Sequence, residues 1–279
     1  MPPLAMALAL GAALLHASWN LALARSRDPQ LVTAIGMLAG SLLLLPVALL
    51  DWRVGLEAWP FIALSAVLEL VYFIALAAAY QRADLSLVYP VSRGVAPVLV
   101  LVVSALLLGV ATSAGQVAGV VLVAAGVLLV RGVARVGHAE ARHLGLALAI
   151  GGLIASYTLV DKEGLRFASP IAYLVLIILP AALGYLLVLW RIRGGPAIRA
   201  AFGPVPAVGG VAIVGAYGLV LMALSLAPAA AVSATRESSV VIATLLAGPL
   251  LGERVGARRI LGAVVVVAGI AALAAARTG

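Results

Sequence analysis

The chain contains no cysteine, which excludes disulfide bonds, thiolate metal sites and cysteine nucleophiles. It has three histidines, His16, His138 and His143, and no H-E-x-x-H pattern. A Walker P-loop and a G-x-S-x-G motif are also absent from the sequence. We therefore expect no catalytic residues, no metal site and no cofactor, and no ATP hydrolysis by this chain.

Charged residues are scarce as well. They make up 10% of the 279 residues, whereas soluble domains carry about 25%. Hydrophobic residues make up 65%, in continuous rather than alternating runs. This composition predicts an all-α polytopic membrane protein. The net charge of +8 lies mostly in short loops between apolar runs, where it meets anionic headgroups, so no nucleic-acid partner is expected.

A membrane-spanning helix needs about 20 mostly apolar residues. The sequence predicts ten such helices: Leu4–Ala24, Leu31–Leu50, Trp59–Tyr80, Leu85–Gly109, Ala114–Val130, Leu144–Val160, Ile171–Trp190, Val205–Ala227, Ala229–Leu251 and Ile260–Ala276.

The two halves of the chain resemble each other. GVVLVAAGV at Gly119–Val127 matches GAVVVVAGI at Gly262–Ile270. The same offset aligns LLG at Leu107–Gly109 with Leu250–Gly252, and Ser92-Arg93 with Thr235-Arg236. Each copy holds five spans, an odd number, so the copies must have opposite topology. We predict two inverted five-helix repeats, residues 1–131 and 143–277.

Basic loop residues favour one side of the predicted membrane protein. Twelve arginines fall there: Arg25, Arg27, Arg82, Arg131, Arg135, Arg142, Arg191, Arg193, Arg199, Arg254, Arg258 and Arg259. The other side holds Arg53, Lys162, Arg166 and Arg277. The positive-inside rule puts the richer side in the cytoplasm and both termini outside. Lys162 is the only lysine, which is typical of a GC-rich bacterial genome, so we expect a bacterial cytoplasmic (inner) membrane.

Two arginines lie inside predicted spans. Arg236 is about seven residues into its span, roughly 10 Å deep, and Arg93 is its counterpart in the first half. Such charges are costly in hydrocarbon, so partners are expected, and Glu69 and Glu237 are the candidates. Arg93 with Glu237, or Glu69 with Arg236, are two pairings the sequence allows. The charges form either a structural network between the halves or a site for substrate or protons.

Other polar and aromatic residues fall at similar depth. The predicted substrate-binding residues are Trp19, Asn20, Tyr72, Tyr89, Ser92, Arg93, Tyr157, Tyr217 and Arg236. The predicted proton or ion-pair residues are His16, Glu69 and Glu237. Asp161 is expected at the membrane interface, one turn beyond Tyr157 and Thr158. Pro90, Gly94 and Pro97 predict either a kink or a binding-site break in the fourth span.

Three segments resemble the EamA family of the drug/metabolite transporter superfamily. They are HASWN at His16–Asn20, LSLVYPVSRGVAPVLVLVVSALLLG around the fourth span, and TRESSVVIATLLAGPLLGERVGARRILGAVVVVAGI near the end. The resemblance covers essentially the whole chain and implies a secondary carrier, often an exporter. Two features depart from the family. The first repeat ends Gly109-Val110, whereas the second keeps Gly252-Glu253, and well-known members place both termini in the cytoplasm.

These observations together predict a secondary transporter, an exporter of a small organic solute such as an amino acid, metabolite or drug. The two repeats would alternate access to a site near the membrane midplane. A transport-inactive accessory subunit and a membrane enzyme acting on lipid are the open alternatives. The expected partners are the solute, the lipid bilayer and, as a candidate coupling ion, the proton. A monomer and a homodimer both fit the sequence.

Overall fold

The computed structural model describes residues 1–23, 28–82, 85–131, 138–242 and 256–276. Ten α-helices have bounds within these ranges: α1 (Pro3–Leu23), α2 (Pro29–Leu50), α3 (Trp59–Arg82), α4 (Leu85–Leu106), α5 (Ala114–Arg131), α6 (His138–Gly164), α7 (Pro170–Ala201), α8 (Pro204–Leu226), α9 (Ala229–Arg236) and α10 (Ala257–Ala275). A single 3₁₀ turn, Leu56–Ala58, precedes α3. Residues 238–242 continue as helix after a turn at Glu237.

Several helix starts follow from local sequence. Asp28 caps α2: its Oδ1 accepts a hydrogen bond from the Leu31 amide at 3.2 Å, and Pro29 takes the first helical position. A capping box starts α5. The Ser113 amide donates to Gln116 Oε1 at 2.9 Å, while the Gln116 amide donates to Ser113 Oγ at 3.3 Å. These contacts satisfy backbone donors that the first turn of a helix leaves free.

The predicted all-helical class is confirmed for the residues that the structure describes. Six helical segments there are long and apolar enough to cross a membrane: Pro29–Leu50, Leu56–Leu76, His143–Gly164, Pro170–Ala201, Pro206–Leu226 and Ala257–Ala275. Shorter apolar helices cover Pro3–Trp19, Val91–Leu106 and Ala114–Val130.

The helices are apolar on the outside and carry their charges inside. Large hydrophobic residues such as Leu50, Leu56 and Leu106 are exposed by 77% or more. Arg93 and Glu237 are buried. This is the reverse of a soluble protein and suits a hydrocarbon solvent, in which only the interior can satisfy polar groups.

The main contacts between the halves come in matched sets. α1 packs against α8 as α6 packs against α3, and α2 against α8 as α7 against α3. α4 packs against α6 as α9 packs against α1. Exchanging the first five helices for the last five converts each contact into its counterpart. α2 with α7, α4 with α9 and α5 with α10 are their own counterparts.

Glycines set the closest helix approaches. A Cβ atom built on Gly119 would lie 2.9 Å from the Gly269 carbonyl oxygen, and one on Gly126 would lie 2.8 Å from that of Gly262. These four glycines of α5 and α10 are the ones that align in the sequence repeat. Between α2 and α8 the approach is tighter still: a Cβ on Gly210 would lie 2.0 Å from the Gly36 carbonyl oxygen. Small residues allow such backbone contact, which supports helix association in membranes.

On the arginine-poor side, the α2–α3 and α6–α7 loops join in an isolated antiparallel bridge, Val54 with Ala168. The Gly55 amide donates to the Phe167 carbonyl at 2.8 Å, and the Ser169 amide donates to the Arg53 carbonyl at 2.8 Å. Phe167 also stacks on Phe61, with ring centroids 6.0 Å apart. One loop belongs to each half, so the bridge closes the protein between the halves on this side.

An exposed ion pair flanks this bridge. Arg53 donates to both carboxylate oxygens of Asp51, at 2.8 and 3.0 Å, and these hydrogen bonds lower the pKa of the Asp51 carboxyl group. The Asp51 backbone carbonyl accepts from Ser169 Oγ at 2.5 Å. The side chain of Asp51 thus binds Arg53 in its own loop, whereas its backbone carbonyl binds Ser169 in the other loop.

Gly210→Ala tests the α2–α8 contact. The new Cβ atom would meet the Gly36 backbone, and overpacking of this kind costs about 1–3 kcal/mol. We expect a lower melting temperature in detergent. Gly152→Ala is the matched control, since its Cβ would meet nothing within 4 Å. Equal melting temperatures for the two variants would contradict the close approach.

Candidate functional site

A cavity of about 380 Å³ lies among α1, α2, α3, α4, α6, α7, α8 and α9. Eight of the residues singled out in the sequence line it: His16, Trp19, Glu69, Tyr72, Arg93, Tyr157, Tyr217 and Arg236. They come from both halves of the chain. The structure therefore brings together in one cavity residues that the sequence spreads over six helices.

The other four predicted residues have different positions. Glu237 is fully buried behind the cavity, where it contacts Arg93. Ser92 is buried where α4 meets α6: a Cβ built on Gly151 would lie 3.0 Å from the Ser92 carbonyl oxygen. The side chains of Asn20 and Tyr89 lie outside the described residues.

An ion pair joins the two halves beside the cavity. Arg93 Nη1 lies 3.3 Å from Glu237 Oε1, and both side chains are buried. Arg93 Nη2 also contacts His16 Nε2. Of the two pairings left open by the sequence, Arg93 with Glu237 forms. Glu69 forms no salt bridge in the part of the chain that the structure describes.

The helix that begins at Ala229 is interrupted at this ion pair. α9 ends at Arg236, Glu237 forms a turn, and helix resumes at residues 238–242. In the predicted fourth span, α4 runs as one helix from Leu85 to Leu106, so the predicted break is absent there, while the alternative of a kink stays a prediction. The turn brings Arg236 Nε within 3.9 Å of Glu237 Oε1, although consecutive residues point about 100° apart on a regular helix.

The guanidinium group of Arg236 faces the cavity with unused donors. Its Nε and Nη2 atoms are buried and have no hydrogen-bond partner within the described residues. Glu237 Oε2 and the hydroxyls of Ser233 and Ser238, beside the turn, are also buried without a hydrogen-bond partner within the described residues. Buried polar groups are usually satisfied, and each that is not costs about 1–3 kcal/mol. This cluster can therefore accept a polar ligand or water.

Aromatic rings form one wall of the cavity. Tyr157 makes edge-to-face contacts with Tyr72 at 5.8 Å and with Tyr217 at 6.0 Å between centroids. Phe73 contacts Tyr72 at 5.1 Å and stacks on Tyr185 at 5.8 Å. These rings offer apolar faces to the non-polar part of a solute.

The cavity extends to the arginine-rich end of the molecule. Asp28, Gln30 and Arg193 line it there. Arg193 contacts Asp28 and donates to Gln30 Oε1 at 2.5 Å. The side chains of Arg193 and Asp28 are 31% and 28% exposed, so the mouth is partly open. The bridged loops close the opposite end.

Sequence reasoning placed Asp161 at the membrane interface and outside the site. The structure buries it completely beside the cavity wall. Its carboxylate accepts hydrogen bonds from Ser65, Tyr173 and Tyr217. Its position one turn from Tyr157 on α6 was visible in the sequence, but the three hydroxyl partners come from other helices.

A family model for EamA-like transporters matches residues 3–132 and again residues 143–275. The chain belongs to the EamA-like transporter family. The resemblance seen in the sequence is thereby confirmed. No curated protein matches the chain.

A solved crystal structure has the same fold as this EamA-like chain. The two superpose with a TM-score of 0.78 at 19% identity, covering 96% of this chain and 95% of the other. Family membership and the apolar helices make this a multi-pass membrane transporter of the drug/metabolite type, with a small-molecule substrate in a lipid bilayer.

Glu237→Gln tests the buried ion pair. Removing one partner leaves Arg93 buried without its counter-charge, which costs about 3–5 kcal/mol. We expect a large drop in melting temperature in detergent. The control is Glu163→Gln, which breaks the exposed pair with Arg166 and should cost no more than about 1 kcal/mol. A small effect of Glu237→Gln would show that the pair contributes little.

Proposed function

We propose that this chain is a secondary transporter for a small organic solute that carries an anionic group, and that Arg236 binds that group. The observation that carries the proposal is the buried Arg236 guanidinium, which lines the cavity and whose Nε and Nη2 donors have no partner among the residues that the structure describes. The neighbouring Arg93 adds a second positive charge on the cavity wall.

The chemistry of Arg236 favours a carboxylate or a similar planar anion. A guanidinium group presents paired N–H donors that match two oxygens of a carboxylate, and charge-assisted hydrogen bonds of this kind are strong. The contact would satisfy donors that are otherwise buried without partners. The rings of Tyr72, Tyr157 and Tyr217 would cover the apolar part of the same solute.

We propose further that the two matched stretches are inverted repeats, each with five membrane spans, that alternate access to this cavity. The interchangeable helix contacts and the reciprocal glycine contacts of α5 with α10 support this. The closed loop pair at Val54 and Ala168 and the partly open mouth at Arg193 are the arrangement of a transporter open to one side.

The mouth lies on the side that carries more arginine. By the positive-inside rule this side faces the cytoplasm of a bacterial inner membrane, with both termini outside. A cavity that opens to the cytoplasm can load a solute for export. Several of the arginines behind this orientation, Arg25, Arg27, Arg135 and Arg254 among them, lie outside the described residues.

An inactive accessory subunit is the second candidate. The lost carboxylate at Val110, where the second repeat has Glu253, favours it. The cavity favours transport, because a purely structural subunit has no use for a cavity of this size that is lined by Arg236 donors without a partner among the described residues.

Ligand-dependent melting of the purified protein in detergent tests the substrate class. The panel pairs each carboxylic acid with its neutral amide and adds amino acids, nucleosides and cationic drugs. A ligand that binds only the folded state raises the free energy of unfolding by mass action, by about 2.7 kcal/mol at 100 times its Kd, and so raises the melting temperature. We expect an acid to stabilise the protein and its amide not to.

Arg236→Gln should abolish this stabilisation. Arg166→Gln, which removes an exposed arginine of the closed side, should keep it. Stabilisation that persists in Arg236→Gln would overturn the assigned anion site. No stabilisation by any compound would favour the accessory subunit.

A disulfide across the loop bridge tests alternating access. The chain has no cysteine, so Val54→Cys with Ala168→Cys can form only the intended bond. Opposed residues of an antiparallel pair are about 4.5–5.5 Å apart at Cα, within disulfide range. In proteoliposomes, oxidation should stop transport of the stabilising acid but leave its binding, and reduction should restore transport. The two single-cysteine variants are controls, and unchanged transport after complete cross-linking would refute the mechanism.

A further inference from the structure

A second polar cluster lies between the cavity and the closed loops, centred on Asp161 of α6. The carboxylate is fully buried and forms no salt bridge in the part of the chain that the structure describes. Ser65 Oγ donates to Oδ1 at 2.5 Å, the Tyr173 hydroxyl donates to the same oxygen at 3.2 Å, and the Tyr217 hydroxyl donates to Oδ2. A buried carboxylate with hydroxyl donors and no cation is unusual.

The positions of these residues follow from their spacing along α3 and α6 and from a close approach at one glycine. Ser65 and Glu69 are one turn apart on α3, and Tyr157 and Asp161 are one turn apart on α6, so each pair shares a helix face. Packing of α3 against α6 places Glu69 and Tyr157 at the cavity and the other two residues one turn closer to the closed side. Tyr173 reaches Asp161 past Gly164, where a Cβ would lie 2.6 Å from the Tyr173 hydroxyl oxygen.

Tyr217 connects this cluster to the cavity. It lines the cavity, as Glu69 does, lies near the Glu69 carboxyl group and donates to Asp161. A tyrosine hydroxyl has a single proton. While that proton is donated to Asp161, the oxygen can only accept, and a protonated Glu69 would be a donor of the right kind on the cavity side.

We propose that Glu69, Tyr217 and Asp161 form a proton relay that links the cavity to a proton-holding site on the closed side. In one transfer, the Glu69 proton moves to the Tyr217 oxygen while the Tyr217 proton moves to Asp161. Glu69 becomes a carboxylate, Tyr217 stays neutral and Asp161 becomes a carboxylic acid, so charge and protons balance. The reverse transfer returns the proton to the cavity.

Opposing effects allow Asp161 to exist in both states. Burial without a cation disfavours the carboxylate, whereas the three hydroxyl donors stabilise it. The groups that face it are Ser65 and Glu69 from α3, Tyr173 from α7, Tyr217 from α8 and, at longer range, Arg236 from α9. Lys162, next in the chain, points to the end of α8, where it donates to the Leu224 carbonyl at 2.6 Å.

The position of Asp161 gives the relay a use in transport, and this part rests on the proposed function. Asp161 lies one turn before α6 ends at Gly164, next to the loops that the Val54–Ala168 bridge holds together. Opening of that side would expose Asp161 to the other compartment. A proton accepted from the cavity would then leave on the opposite side of the membrane, which is what coupling to a proton gradient requires.

Infrared spectroscopy of the full-length protein in lipid bilayers tests the relay without any solute. Asp161→Asn and Glu69→Gln assign the bands of the protonated carboxyl groups, and Asp161→Glu, which shifts the band, replaces the Asn variant if that one does not fold. The probe is D₂O: after a switch from H₂O, the rate at which the Asp161 band shifts reports proton exchange with the cavity.

Tyr217→Phe and Tyr173→Phe are a matched pair, since each removes one hydroxyl donor from Asp161 but only Tyr217 lines the cavity with Glu69. We expect about tenfold slower exchange or more in Tyr217→Phe, equivalent to a barrier about 1.4 kcal/mol higher. Tyr173→Phe should exchange at close to the wild-type rate.

Three results would overturn the relay. They are exchange at the wild-type rate in Tyr217→Phe, equal slowing in both tyrosine variants, and no protonated Asp161 at any pH at which the protein stays folded. Failure of the relay is distinguishable from failure of the proposed function. The melting experiment on Arg236 reports solute binding and does not depend on Asp161.

Discussion

The structure depends on the contact between Arg93 and Glu237, which are separated by 144 residues in the chain and belong to different halves. Neither charge is stable alone in the interior of a membrane protein, because hydrocarbon and packed side chains provide no solvation. Each half therefore needs the other to neutralise its buried charge. A contact of this kind fixes the fourth and ninth spans next to each other at the centre of the molecule.

The geometry of that contact also shapes the cavity. Glu237 contacts Arg93 at the turn that follows α9, and the neighbouring Arg236 lines the cavity with Nε and Nη2 donors that have no partner among the described residues. Of the two arginines related by the repeat, Arg93 is bound to Glu237 and His16, while Arg236 has unused hydrogen-bonding capacity. The sequence repeat is nearly symmetric here, but the charge environment is not, and the asymmetry gives the cavity one preferred place for an anion.

Glu237 and Glu69 have separate roles in this scheme. Glu237 is a structural counter-charge, fully buried behind the cavity wall. Glu69 lines the cavity and forms no salt bridge among the described residues, and Tyr217 on the same cavity donates to Asp161. Binding of an anion at Arg236 and proton movement through Glu69 would take place in the same cavity, close enough for each to influence the other electrostatically.

Much of this architecture could be predicted from the sequence. Apolar runs of sufficient length predict helices however those helices later pack, because helix formation depends on local sequence. The shared spacing of Gly119 and Gly126 with Gly262 and Gly269 revealed the repeat. The eight cavity residues could be named because polar groups in apolar spans need a polar environment.

The sequence could not decide the Arg93–Glu237 pairing, the position of the turn at Glu237 or the burial of Asp161 beside the cavity. Proline and glycine in the predicted fourth span left a kink and a break open, but α4 has no break, and a turn lies at Glu237 instead. Asp161 looked like an interfacial residue until packing placed three hydroxyl groups around it. These features depend on side chains that meet across helices far apart in the chain, so only the tertiary structure determines them.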